Sequence, residues 1–175
     1  MSIIRTNQIT DTSGNGTPSF PNGGVGKVFQ VVVGGITARY VGTVSAGNYE
    51  DVPGLNATIT PTSTNSKILV TLSGGLGNTA IGNATLLRLY RGTTNIGNGT
   101  GGSNAAERFL TGALGDQAYR LAPFSIQHYD SPASTAALTY KIAMAAFDAT
   151  GTIGGRGDNT NYTMQTVLTL MEIGG

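Results

Sequence analysis

Thr163-Met164-Gln165-Thr166-Val167-Leu168-Thr169-Leu170-Met171-Glu172-Ile173 is a single apolar, β-prone run, with only Gly174-Gly175 after it. Its β-branched and long aliphatic residues favour an extended strand. A strand this apolar on both faces is expected in the interior of a sheet, with a neighbour on each side. The chain it closes must therefore be built largely of strands.

The remaining composition agrees. Gly contributes 27 of 175 residues, and only 11% are Asp, Glu, Lys or Arg, against about 25% in ordinary domains. Gly, Asn and Ser form turns, while Thr forms strands that can face water. Many short strands joined by many turns, within one domain large enough to enclose a core, is the expected organisation. Low charge also removes a barrier to self-association, which points to an assembly rather than a free monomer.

Several function classes are excluded or unsupported. Net charge is +1, and the three Lys and seven Arg form no run, so no basic surface for nucleic acid is expected. With no Cys, thiolate metal sites, disulfides and thiol catalysis drop out. Met1-Ser2-Ile3-Ile4-Arg5 lacks the layout of a signal peptide, and no apolar stretch nears the roughly 20 residues that span a bilayer, so synthesis in the cytoplasm without a membrane partner is expected. No cofactor is expected.

Residues 1–26 differ from the rest. Ile3, Ile4 and Ile9 are the only large aliphatics before Phe20, and turn residues fill the remainder. Such a segment cannot form its own core, but at about 3.3 Å per residue it can reach about 80 Å along another surface. It reads as an anchoring arm, with residues 27–175 as the folded domain.

Strand signals recur from Lys27 onward. Residues 28–33 and 38–44 read as two strands around a Gly34-Gly35 turn. Residues 57–60 and 66–72 flank a polar loop, and 84–91 leads into a hairpin through Gly92-Thr93. Residues 122–129 and 137–147 flank Asp130-Ser131-Pro132-Ala133-Ser134, and 150–162 is a long polar loop before the final strand. No window supports a convincing helix. Strands at this spacing without helical crossovers indicate an antiparallel sandwich or jelly roll.

Four stretches, in order, resemble phage virion knob proteins, the capsid decoration and tail-fibre proteins of marine and cyanobacterial phages. They are Leu55 with Ile59-Thr60-Pro61-Thr62-Ser63-Thr64-Asn65-Ser66-Lys67-Ile68-Leu69-Val70, then Leu87-Arg88-Leu89-Tyr90-Arg91-Gly92, then residues 129–142, then Leu168-Thr169-Leu170-Met171-Glu172-Ile173. Ile9-Thr10-Asp11 through Phe20-Pro21-Asn22-Gly23 is similar to the leaders that fasten such knobs to a particle. The resemblance implies an all-β antiparallel jelly-roll sandwich of the C1q and tumour necrosis factor type, assembled as a homotrimer. It also implies a location on the virion at the capsid surface, with the major capsid protein as partner. Ile3, Ile4, Ile9 and Phe20 would anchor the arm, and Ile68, Val70, Leu87, Leu89, Ile142, Met144, Leu168 and Leu170 would carry the core and trimer contacts. The chain departs from long fibres in having no shaft, which favours decoration. The alternative is a tail-fibre or receptor-binding tip, whose loops 97–104 and 150–162 would meet a host glycan.

Motifs outside this picture carry bland readings. Gly24-Val25-Gly26-Lys27 lacks the first Gly and the Ser or Thr of a phosphate loop. His128-Tyr129-Asp130-Ser131 occupies consecutive strand positions, which point to alternating faces and cannot form a triad by themselves. Arg156-Gly157-Asp158 matches an adhesion tripeptide in a loop, and Asp148 and Asp158 lack the spacing of a calcium loop. Sequons at Asn15, Asn56, Asn83, Asn98 and Asn161 follow from an Asn- and Thr-rich composition. Tyr40, Tyr90, Tyr129, Tyr140 and Tyr162 fall in or beside strands, where packing or subunit contact outweighs sugar binding. No grouping of the nine acids suggests paired catalytic carboxylates, so no enzyme is expected.

Overall fold

Alternation of buried and exposed side chains, strand after strand, sets the architecture seen in a computed structural model, which describes residues 27–45, 47–99, 109–114, 120–147 and 150–174. Eleven strands run in chain order: β1 (Val28–Ile36), β2 (Tyr40–Gly42), β3 (Glu50–Ile59), β4 (Lys67–Asn78), β5 (Ala84–Arg91), β6 (Thr94–Ile96), β7 (Thr111–Leu114), β8 (Leu121–Asp130), β9 (Leu138–Phe147), β10 (Gly151–Ile153) and β11 (Thr166–Ile173). The described residues contain no helix.

Two antiparallel sheets form. In the first, β4 pairs β8 along one edge, while β11 (to Lys67–Ser73) and β10 (to Leu76–Asn78) share the other edge end to end. β1 and β2 continue outward from β11 and β10. In the second sheet β9 lies between β3 and β5, and β6 and β7 divide the far edge of β5. Setting aside the short β2 and β10, first pairs with last (β1 with β11), second with next to last (β3 with β9), then β4 with β8, and β5 with β6 and β7. That inward nesting is the signature of a jelly roll. The fold is an all-β jelly-roll sandwich, as the strand spacing predicted.

Between the sheets lies the core. Leu168 and Leu170 of β11 meet Ile68, Val70 and Leu72 of β4, and opposite them stand Leu87 and Leu89 of β5, Ile142 and Met144 of β9, and Leu55 and Ile59 of β3. β11 is an interior strand, flanked by β1 and β4, as its apolar sequence requires.

Some boundaries differ from expectation. Gly34-Gly35 is not a turn: β1 runs through it to Ile36, and the bend falls at Thr37-Ala38. The glycines are there for close approach, since a Cβ on Gly34 would lie 1.9 Å from the Asn56 carbonyl oxygen. This is where β1 of the first sheet crosses β3 of the second. β3 starts at Glu50, earlier than the apolar run shows, because Pro53 and Gly54 (φ +80°) interrupt its pattern at an irregularity in the ladder. β10 arises within the polar 150–162 loop.

Two polar clamps close one end of the sandwich. Glu172 is fully buried, and its Oε1 accepts from Thr62 N–H (2.7 Å) and Thr62 Oγ1 (2.6 Å) while Oε2 accepts from Gln30 Nε2 (2.6 Å). Burial alone would raise its pKa, but the donors from Gln30 and Thr62 outweigh burial and hold the carboxyl down at about 2. Asp130 of β8 accepts from Arg91 Nη1 on β5 (2.7 and 2.6 Å) and from the buried Tyr140 hydroxyl on β9 (2.6 Å), joining the two sheets. Burial first, then the Asp130 carboxylate, pushes the Tyr140 phenol far above its ordinary range.

Candidate functional site

The outward faces of the two sheets differ in chemistry, and the difference follows from alternate residues of the core strands. On the first sheet the register aligns Val31 with Met171, Met171 with Leu69, and Leu69 with Tyr129, an apolar row across β1, β11, β4 and β8. The next row, Val33, Thr169, Thr71 and Gln127, is mixed, and the third, Gly35, Val167, Ser73 and Ser125, is small. Apolar character thus concentrates toward the end where Ile173 faces Val28. Val31 is 54% exposed, Val33 62% and Tyr129 58%. Among the outward positions of these four strands Lys67 is the single charged residue. Val31, Val33 and Tyr129 thus leave apolar area in water on this face.

A bulge extends this patch. Val28 faces Ile173 and Gln30 faces Glu172, so Phe29 is the extra residue, and both Val28 and Phe29 stand about half exposed. The same bulge turns Gln30 inward to its bond with Glu172. Gly174 N–H donates to Lys27 O at 2.7 Å, so the start of the described domain and its final strand meet beside the apolar rows.

The second sheet presents a polar outward face. Asn56, Lys141, Tyr90 and Asn95 form one row, Lys141 Nζ pairs with Asp51 at 2.7 Å, and Thr58 and Thr139 hydroxyls bond across strands at 2.8 Å. Arg88 stacks over the Tyr49 ring, 3.8 Å from its centre. The outward faces therefore differ, with polar rows on the second sheet and an apolar row at one end of the first.

The eight core and trimer positions read from sequence all face between the sheets: Ile68, Val70, Leu87, Leu89, Ile142, Met144, Leu168 and Leu170 are at most 2% exposed. Their alternates on β4 and β11, Leu69, Thr71, Val167, Thr169, Met171 and Ile173, lie on the outward face of the sheet. Period-two alternation could have separated these two sets in the sequence. Ile3, Ile4, Ile9 and Phe20 lie outside the described residues, as do Asn15, Asp148 and most of the loop 97–104.

The remaining motifs are placed as follows. His128 and Asp130 point inward and Tyr129 outward, and Asp130 is held by Arg91 and Tyr140. His128 packs against Gly97, where a Cβ would meet Nδ1 at 3.0 Å. Asn83 is buried and cannot accept a glycan, while Tyr140 belongs to the core. Arg156 and Asp158 of the tripeptide bond each other, Nε to Oδ1 at 2.9 Å and Nη2 to Oδ2 at 2.6 Å. Among the described residues no three His, Asp or Glu side chains gather as a metal set.

No protein-family model matches the chain, and no curated protein matches it in sequence. Among solved structures it is similar to the VP2 subviral particle of infectious bursal disease virus, at 12% identity and a TM-score of 0.37, over 85% of this chain and 39% of that one. The chain thus spans well under half the length of that protein.

Proposed function

We propose that this chain is a non-enzymatic structural protein of a phage virion, a homotrimeric decoration or cement protein that sits on the capsid surface. The observation that carries the reading is the outward apolar row Val31, Met171, Leu69 and Tyr129, in which Leu69 and Met171 are half-buried and Val31 and Tyr129 are exposed. An identical face or edge of a second copy is a natural cover for it, because the opposite face is polar and suited to solvent. The three-fold arrangement is carried by the resemblance to phage knobs. In such a trimer the three Lys27 positions, each next to its apolar patch, send residues 1–26 out from one end. Ile3, Ile4, Ile9 and Phe20 then anchor each arm to the major capsid protein, and three weak contacts on one knob act together through raised effective concentration. The head is stabilised by bridging neighbouring subunits.

Three measurements test this. Sedimentation equilibrium should give three times the chain mass for the wild type and one chain mass for a folded Met171→Glu variant, whose charge would have to enter the contact. A wild-type monomer would overturn the assembly. Quantitative mass spectrometry of particles should give hundreds of copies in simple ratio to the major capsid protein. Deletion of residues 1–24 should abolish capsid binding while leaving the trimer. A few tens of copies or fewer would replace this reading with a tail-fibre or receptor-binding tip.

A further inference from the structure

β1 pairs with β11 on one side, and among the described residues no strand pairs with it on the other. A bare strand edge is a row of unpaired N–H and C=O groups, a template for any extended chain. The other edges of the sandwich are protected from this. β2 and β6 have three residues each and β7 has four. β8 carries Pro123, which has no N–H to donate, and β3 is broken by Pro53 and by Gly54 with its φ of +80°. β1 has only the bulge at Phe29. From Gln30 to Ile36 it reads Gln-Val-Val-Val-Gly-Gly-Ile, with no Pro and no charge. Val31 and Val33 stand exposed on its outward side and Val32 is half-buried on the inward side. An added strand would find hydrocarbon on both faces.

The sequence ahead of β1, outside the described residues, divides into two parts. Residues 2–10, Ser-Ile-Ile-Arg-Thr-Asn-Gln-Ile-Thr, are rich in β-branched side chains (Ile3, Ile4, Thr6, Ile9, Thr10) and hold no Gly or Pro, the composition of a strand. In a strand Ile3 and Ile9 would share one face and Ile4 would take the other. Residues 11–26 have Gly or Pro at 14, 16, 18, 21, 23, 24 and 26, the composition of a flexible tether. That tether ends at Lys27, directly before β1. Its 16 residues have an r.m.s. span of about 20–24 Å. The nine residues of β1 are about 30 Å long. The strand-forming segment is thus kept within the length of the edge it would cover, at an effective concentration on the order of millimolar.

We propose that residues 2–10 add as an antiparallel strand to the free edge of β1 in the same chain. Every ladder of that sheet is antiparallel, and this direction returns Thr10 to the start of β1, where the tether is rooted. Backbone hydrogen bonds supply the affinity, and Ile3, Ile4 and Ile9 extend the hydrocarbon of β1 on its two faces. The cap closes the one long edge through which copies could otherwise pair without limit. The inference does not rest on the capsid reading, since the pairing needs this chain alone. It adds a condition to that reading: a capsid must draw the same isoleucines away from β1, so capping and anchoring exclude each other.

Hydrogen exchange of the full chain, resolved amide by amide by NMR, tests this. Alternate amides of β1 point toward β11 and the rest toward the free edge. In the full chain both sets should exchange slowly. In a chain lacking residues 1–13 the edge-facing set should exchange about tenfold faster or more, while the β11-facing set stays slow. Ile4→Pro combined with Arg5→Pro should act like the deletion, because two consecutive prolines remove an N–H facing β1 in either register. Adding unlabelled full chain to the labelled truncated chain should leave its edge fast. Protection restored by that addition would assign the strand to a neighbouring copy and overturn pairing within one chain. Equal exchange of the edge-facing amides in full and truncated chains, whether fast or slow, overturns the proposal outright. The readout is the same for a monomer or a trimer, so it is independent of the assembly.

Discussion

Glu172 shows how much one residue can hold. Its carboxylate ties β11 to β1 through Gln30 and to the β3–β4 loop through Thr62, using neutral donors and full burial. In a Glu172→Gln variant the amide NH2 has to face a donor, leaving a buried hydrogen bond unmade at a cost of about 2 kcal/mol. The urea midpoint should fall with the m-value unchanged. The pH dependence has a definite sign. Folding depresses this pKa to about 2 from an ordinary 4.5, so the stabilisation is complete above about pH 4.5 and is lost as pH falls toward 2. Urea titrations of wild type and variant should therefore differ at neutral pH and converge over that interval. Asp130 was legible in the sequence only as part of a turn. Its partners Arg91 and Tyr140 lie on two strands of the other sheet, and no local pattern connects the three.

Strands were legible to the extent that side-chain alternation stays unbroken. β8, β11 and the first half of β4 carry it, while β5 and β9, buried through most of their length, were found by their β-prone apolar runs, and β4 continues to Asn78, past the run that revealed it. Where glycine serves approach rather than turning, the same reasoning stops a strand too soon, as at Gly34-Gly35 in β1. That case yields a prediction. Gly34→Ala would drive a methyl into the Asn56 backbone, which cannot rotate away, so β1 and β3 must separate. A loss of about 2–3 kcal/mol is expected in chemical denaturation, in the upper range for overpacking. Short β10 was missed because Gly151-Thr152-Ile153 is too brief to show a period. It exists because the end of β4 has an edge that β11 leaves unpaired.

For the whole molecule the defining property is two-sidedness. One face carries Val31, Met171, Leu69 and Tyr129, the other Asn56, Lys141, Tyr90 and Asn95. Copies that meet through the apolar face associate by removing hydrocarbon from water, a force that salt does not screen. The assembly mass should therefore remain unchanged from low salt to about 1 M NaCl. Dissociation on adding salt would instead place the contact on the charged pairs of the second sheet.

The sequence by itself determined the class of fold, the course of the main strands and eight of the core positions, because strand geometry sends neighbouring residues to opposite faces and the long apolar ones are buried. Tertiary structure decided which outward face stayed apolar, that Arg156 and Asp158 pair beneath Tyr162, and that Glu172 and Asp130 become clamps. Those outcomes depend on segments far apart in the chain. Gln30 and Glu172 are 142 residues apart, and Arg39 and Arg156 are 117. Local preference carries no information about which distant strands the nested pairing of a jelly roll will bring side by side.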